Sequence, residues 1–270
     1  MTGALLPVAG ANVWIEQLGA GKPVVYLHGI ADLHGIESAP MAFHRSLAER
    51  CTLIAPAHPG CAKTDADETM ENMDDVVFHY LRVFDALGLG AFTLAGSSLG
   101  GWIAAEIAVR HPERVEKLAL IGPTGLQVPG HHIGDVFWFA QPDDGVRYDG
   151  LRDLLFAGPR SEAGMEMIPD AKDDIEREMG KYKIFRFASL IGFKPPYLYN
   201  PRLRERLDRY GGPALILWGE NDSLVQKAHA DAYFDGFRQG RLEVVSGCGH
   251  SLIVEAPTGT ADLVAEFIGD

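Results

Sequence analysis

Gly96-Ser97-Ser98-Leu99-Gly100 is the stretch that decides how this chain folds. An apolar run, Phe92-Thr93-Leu94-Ala95, precedes it, and a helical pattern, Trp102-Ile103-Ala104-Ala105-Glu106-Ile107-Ala108, follows it. The five residues form G-x-S-x-G between a strand and a helix, a turn that holds a serine side chain clear of the sheet. Such a turn strains the backbone at Ser98. Strand and helix approach closely there, so the positions two before and two after must be small; Gly96 and Gly100 meet that need. The competing reading is a chance glycine-rich turn with a buried serine, and the rest of the chain must discriminate.

A serine hydroxyl is a weak nucleophile without a base. The base is a histidine held in one tautomer by an acid, and on this type of turn the chain order is Ser, then Asp or Glu, then His. The C-terminal part supplies both in that order. Pro213-Ala214-Leu215-Ile216-Leu217-Trp218 reads as a buried strand ending in Gly219-Glu220-Asn221-Asp222. Leu242-Glu243-Val244-Val245 reads as a strand ending in Ser246-Gly247-Cys248-Gly249-His250. Serine, acid and histidine each follow a strand's carboxyl end. In a parallel sheet those ends share one edge, where distant residues converge.

With these motifs the chain resembles the α/β-hydrolase family over nearly its whole length. Leu27-His28-Gly29-Ile30 is similar to that family's HG-x oxyanion segment. Trp218-Gly219-Glu220-Asn221-Asp222 is similar to its W-G-x-x-D acid turn, and Gly249-His250 with Glu255-Ala256-Pro257 to its terminal G-H…E-x-P loop. The resemblance implies Ser98 as nucleophile, Asp222 as acid and His250 as base, with the backbone N–H groups of Ile30 and Leu99 as oxyanion hole. One segment departs from the pattern. In Ile54-Ala55-Pro56-Ala57-His58-Pro59-Gly60-Cys61-Ala62-Lys63-Thr64, Ala57 stands for the usual aspartate of A-P-D-x-P-G-x-G-x-S and Ala62 for its second glycine. That aspartate is structural in the family, so the departure touches local loop geometry rather than catalysis.

Extended and helical patterns alternate along the chain. Strands are expected at 12–18, 24–28, 51–55 and 115–121, and helices at 73–87, 225–237 and 258–268. The alternation implies an α/β fold, with a mostly parallel central sheet covered by helices on both faces. The first two strands, joined by Gly19-Ala20-Gly21-Lys22-Pro23, are expected to form an N-terminal edge hairpin. Residues 125–209 break the alternation over far more than an ordinary connection. The family carries a helical cap here, inserted after the sixth strand, so the expected division is a core of 1–124 and 210–270 and a cap of 125–209. A lid excludes water and shapes the pocket. Trp138 and Phe139, from the apolar run Phe137-Trp138-Phe139, and Arg186 are pocket candidates, although the aromatics can equally pack the cap onto the core. His34, His44, His58 and His111 read as loop or surface residues, and His34 and His58, which follow strand ends, are further pocket candidates. His28 reads as structural, fixing its loop by hydrogen bonds.

A chain of 270 residues, 47% hydrophobic and 23% charged, can bury one large core. Its formal charge of −13 argues against nucleic acid or an anionic membrane as partner. The expected partner is a small molecule, for a monomer or homodimer. Three cysteines, Cys51, Cys61 and Cys248, give no disulfide framework and suggest a reducing, cytoplasmic compartment. The N-terminus lacks the basic and apolar regions of a signal peptide, and no apolar run reaches the length of a membrane span. His131-His132 invites a metal and Cys248 a thiol chemistry; neither has the supporting cluster, and no metal or cofactor is expected. Serine at the turn argues against the branches of the family that carry aspartate there. The function this implies is acyl transfer from a carboxylic ester. The alternatives are a carbon–carbon bond hydrolase of aromatic ring-cleavage products and a slow-turnover receptor on the same fold. Ser251 after the histidine, where the carbon–carbon hydrolases carry an aromatic, lowers the first alternative. Arg186, as a holder of a substrate carboxylate, keeps it open.

Overall fold

A computed structural model describes residues 2–32, 40–140, 146–170, 175–195 and 197–269. Its centre is an eight-stranded sheet: β1 (Thr2–Val8), β2 (Ala11–Gly19), β3 (Pro23–Leu27), β4 (Thr52–Pro56), β5 (Phe92–Ser97), β6 (Val115–Ile121), β9 (Ala214–Gly219) and β10 (Gly240–Val245). The order is β1-β2-β4-β3-β5-β6-β9-β10. The pairs β1–β2 and β2–β4 are antiparallel, and the remaining five are parallel. The middle strand β5 is buried along its whole length, as a parallel strand covered on both faces must be.

The N-terminal edge hairpin differs from the expected one. It joins β2 to β1, and β4 lies between β2 and β3. The turn is Ala9-Gly10, both at positive φ, the two-residue geometry that suits the strand twist. Alanine there is an uncommon turn residue, which hides the hairpin in the sequence. Pro7 within β1 reads against a strand, yet an edge strand tolerates a missing N–H.

Helices cover the sheet in two groups. One holds α1 (Ala42–Ala48) against α10 (Pro257–Gly269); the other holds α2 (Met73–Ala86), α3 (Leu99–Arg110), α8 (Lys227–Gly236) and the short 3₁₀ turn Arg204–Arg209. The start of α2 is set by Asn72, whose side chain accepts from the N–H groups of Asp74 and Asp75; satisfying such orphan donors stabilises a helix by about 1 kcal/mol. Its buried face, Val76, Val77, Tyr80, Leu81 and Phe84, repeats at helical spacing.

Between β6 and β9 the chain leaves the sheet. It forms the short parallel pair β7 (Gly125–Leu126) and β8 (Tyr199–Asn200), with α4 (Val136–Phe139), α5 (Val146–Leu155), α6 (Glu162–Met167) and α7 (Ile175–Gly192) between them. The fully buried Arg152 joins these helices, donating to Asp149, Asp170 and the carbonyl of Ile168. α7 is the longest of these helices, 18 residues from Ile175 to Gly192. The segment is tied to the C-terminal part of the chain. The Ser251 N–H donates to the Leu155 carbonyl at 2.9 Å, and Glu255 accepts from Ala157 at 2.7 Å and from Gly249 at 2.8 Å.

Candidate active site

Ser98 stands between β5 and α3 at φ 51°, ψ −114°, outside the ordinary basins. The strain is held from both sides. Its N–H donates to the Ile121 carbonyl at 2.8 Å, and its carbonyl accepts from Trp102 and Thr124. A Cβ on Gly96 would come within 2.4 Å of the Gly100 carbonyl oxygen, and one on Gly100 within 2.1 Å of that of Leu27. Both glycines are therefore required by close approach of helix and strands. The side chains at either end of α3 are also anchored. Glu106, fully buried, accepts from the Trp102 indole, the Asn200 amide and Arg110, and burial pushes its carboxyl above the usual range.

Asp222 and His250 follow β9 and β10, the two strands at the far edge of the sheet. The His250 ring bridges the other two residues: Nε2 lies 2.8 Å from Ser98 Oγ, and Nδ1 lies 2.8 Å from Asp222 Oδ2. A carboxylate only accepts, so the Nδ1 proton faces Asp222 and Nε2 is left to accept from the serine hydroxyl. The second oxygen of Asp222 accepts from the N–H groups of Leu224 at 3.0 Å and Val225 at 2.8 Å. Glu220, in the same turn, points elsewhere. It accepts from Ser246 Oγ and the Gly247 N–H, which hold its carboxyl below the usual range. All three residues of the chain Ser98–His250–Asp222 are nearly closed to solvent, Ser98 being 6% exposed.

Leu99 opens α3, where a helix leaves its first N–H groups without internal partners. Neither its N–H nor that of Ile30 donates to another group among the described residues. The loop after β3 lies directly on the serine: a Cβ on Gly29 would stand 2.9 Å from Ser98 Cβ.

A model of the family described as alpha/beta hydrolase fold matches residues 22–257. The chain belongs to this family. It is 26% identical to 2-hydroxymuconate semialdehyde hydrolase of Pseudomonas sp. (strain CF600), over 97% of this chain and 92% of that protein. It is 23% identical to the monoacylglycerol lipase ABHD6 of Homo sapiens, over 92% of this chain and 75% of that protein. Among solved structures, a meta-cleavage product hydrolase from Pseudomonas fluorescens IP01 superposes with a TM-score of 0.79 at 22% identity, covering 99% of this chain and 97% of the other.

The other residues marked in the sequence of this α/β hydrolase take different contacts. Arg186 forms a two-oxygen ion pair with Glu68 at the surface, with 44% of its side chain exposed. Trp138 is 52% exposed, and Phe139 packs against Gly150 of α5. Their neighbour Phe137 is buried among Phe185, Phe193 and Tyr197; in that run, packing is the role the contacts support. His34 lies outside the described residues. His44 and His58 are buried rather than at the surface, because helix α1 and the loop after β4 turn inward. His131 Nδ1 meets Gln226 Oε1 at 2.6 Å, and no cluster of three or more metal-ligating side chains occurs among the described residues. Cys248 is buried, and burial pushes its thiol above the ordinary range, which suppresses the thiolate a nucleophile needs. No described helix is long and apolar enough to cross a membrane.

Asp32 escaped the sequence reading. It is fully buried and accepts from the Gly29 N–H and the Tyr26 hydroxyl. Burial raises its carboxyl to about 6, against the pull of those two donors. No periodicity marks such a residue; a lone acid close behind an HG turn is the only signal.

Proposed function

We propose that this α/β hydrolase cleaves a carboxylic ester, or a related acyl bond, of a small and largely apolar substrate through an acyl-serine intermediate. The observation that carries the reading is the continuous hydrogen-bonded chain from Ser98 Oγ through His250 to Asp222, with both links at 2.8 Å. In it His250 takes the serine proton as Oγ attacks the carbonyl carbon. The tetrahedral oxyanion is received by the backbone N–H groups of Ile30 and Leu99, and such preorganised donors are usually the largest catalytic term. The leaving alkoxide takes the proton from His250, which then activates water to release the acid and restore Ser98. Asp222 orients the ring and stabilises its cation without becoming protonated. Residues 125–209 serve as the lid of this site; the ties of Leu155 and Ala157 to Ser251 and Glu255 support that division.

A second reading is carbon–carbon bond hydrolysis. The 26% identity to an enzyme named as a semialdehyde hydrolase favours it. The engagement of Arg186 by Glu68 and the serine after His250 weigh against it. Both readings use Ser98, so Ser98→Ala should lower kcat on a p-nitrophenyl ester by about 10⁴–10⁶ with the fold intact. Retention of more than about a tenth of the activity would refute Ser98 as nucleophile. Turnover of esters set against a ring-cleavage dienoate then separates the two readings.

A further inference from the structure

We propose that Asp32 and His58 are positioning residues that hold the His28–Gly29 peptide plane behind Ser98, so that the following plane, held by His28, aims the Ile30 N–H at the developing oxyanion. The inference rests on the acyl-serine reading above.

The clamp is built plane by plane. In the peptide joining His28 to Gly29, the carbonyl accepts from His58 Nε2 at 2.8 Å, and the N–H donates to Asp32 Oδ1. That plane is held at both ends. In the next peptide, joining Gly29 to Ile30, the carbonyl accepts from His28 Nδ1 at 2.9 Å, while the Ile30 N–H has no partner among the described residues. Carbonyl and N–H of a trans peptide point in opposite directions within one plane. Holding the Gly29 carbonyl therefore sets the direction of the Ile30 N–H.

The tautomers are decided by the partners. His28 Nε2 accepts from the His58 N–H at 3.1 Å, so its proton sits on Nδ1, where the Gly29 carbonyl needs it. His58 presents Nε2 to a carbonyl and Nδ1 to the Tyr80 hydroxyl, so its proton sits on Nε2. Both rings are fully buried and neutral; burial lowers His28 to about 4 and holds His58 well below its ordinary value. On the other side Tyr26 donates to the second oxygen of Asp32. The His58 ring also fills space, lying between His28, with centroids 3.8 Å apart, and Phe187 of α7, 4.5 Å away and stacked. A loop this close to Ser98 has no freedom to re-aim its donor without these contacts.

The test compares Asp32→Ala, Asp32→Asn, His58→Phe and Ser98→Ala on a p-nitrophenyl ester. Loss of an oxyanion donor costs about 10²–10³ in kcat, so a misdirected one should cost about 10–100-fold. Asp32→Ala and His58→Phe are expected to lose that much kcat with KM within about threefold. The inhibition constant of a trifluoromethyl ketone, which forms a tetrahedral adduct with the serine, should rise by the same factor. Asp32→Asn should recover most of the activity: its amide oxygen accepts from Gly29 and its amide nitrogen turns to the Tyr26 oxygen. His58→Phe keeps a ring in the stack, so it carries the test if Asp32→Ala does not fold. Unchanged kcat in the folded variants overturns the clamp, as does a rise in KM that accounts for the whole loss. Asp32→Asn as impaired as Asp32→Ala also overturns it, since the charge rather than the hydrogen bond would then matter. An active Ser98→Ala would instead sink the acyl-serine reading itself.

Discussion

Lowering the pH from 7 to 5 should destabilise this protein through four histidines shielded from solvent. His28, His44 and His79 are held at about 4, and His58 is held well below its ordinary value, in each case chiefly by loss of hydration. An unfolded histidine titrates near 6.5. Between these values the unfolded chain binds the proton and the folded chain does not, so stability falls as pH falls. From pH 7 to 5 each histidine held at about 4 removes about 1.9 kcal/mol, and His28, His44 and His79 together about 5–6 kcal/mol, with His58 acting in the same direction. Asp32 acts with the opposite sign. Its folded value is raised to about 6, so the folded state takes the proton first and regains about 1.3 kcal/mol over the same interval. Glu106 and Glu255, also raised by burial, oppose the histidines too. The net loss is on the order of 4 kcal/mol, a large share of the typical 5–15 kcal/mol of a domain. It corresponds to a drop in Tm on the order of 10 °C. Thermal unfolding followed by circular dichroism at the two pH values measures it. His44→Gln should remove its own share of about 1.9 kcal/mol, because His44 Nε2 has no partner to lose. A Tm unchanged or higher at pH 5 would refute the claim that these rings are buried neutral.

Asp222→Asn should cut kcat by about 10²–10⁴ by favouring the wrong tautomer of His250, whereas Glu220→Gln, whose partners are Ser246 and Gly247, should change it little; ester kinetics with the reverse ranking would contradict the geometry. Trp138→Ala should leave the preference between a short acetyl ester and a bulkier aryl ester unchanged, as its exposure implies; a selective loss of the bulkier substrate in kcat/KM would return Trp138 to the pocket. Ala62 sits at φ 49°, a conformation costing a non-glycine residue about 1–2 kcal/mol. Ala62→Gly should accordingly raise denaturant stability by up to about 1 kcal/mol after the entropic cost of glycine, and a decrease would show that the alanine methyl earns its place by packing.

Ser98, Asp222 and His250 are legible in the sequence because each is tied to a local pattern: a strand end, a turn and, for Ser98, two flanking glycines. Asp32 and the burial of His58 are not, because their roles come from partners on other segments. His58 is defined by His28, thirty positions away, and by Tyr80 on α2. Arg186 shows the converse. A basic residue between two phenylalanines reads as a substrate holder until Glu68, 118 positions earlier, is seen to occupy it.

The alternation of apolar runs and helical spacing determined by itself that this chain builds a parallel sheet with helices on both faces. The two glycines flanking Ser98 made the turn legible there too, although Gly100 must be small because the Leu27 carbonyl of β3 lies against it, a contact set by the fold. Strand order was decided by tertiary structure alone. Nothing between residues 12 and 28 signals that β4 inserts between β2 and β3, or that β1 closes the edge, since hydrogen-bonding groups are the same in every strand and pairing is chosen by burial of the whole sheet. The choice of Asp222 over Glu220, implied in the sequence only by the resemblance to a W-G-x-x-D turn, has its physical reason in the fold. Two carboxylates in one turn have the same chemistry, and only the direction in which the turn leaves β9 sets one on the His250 ring and the other on Ser246.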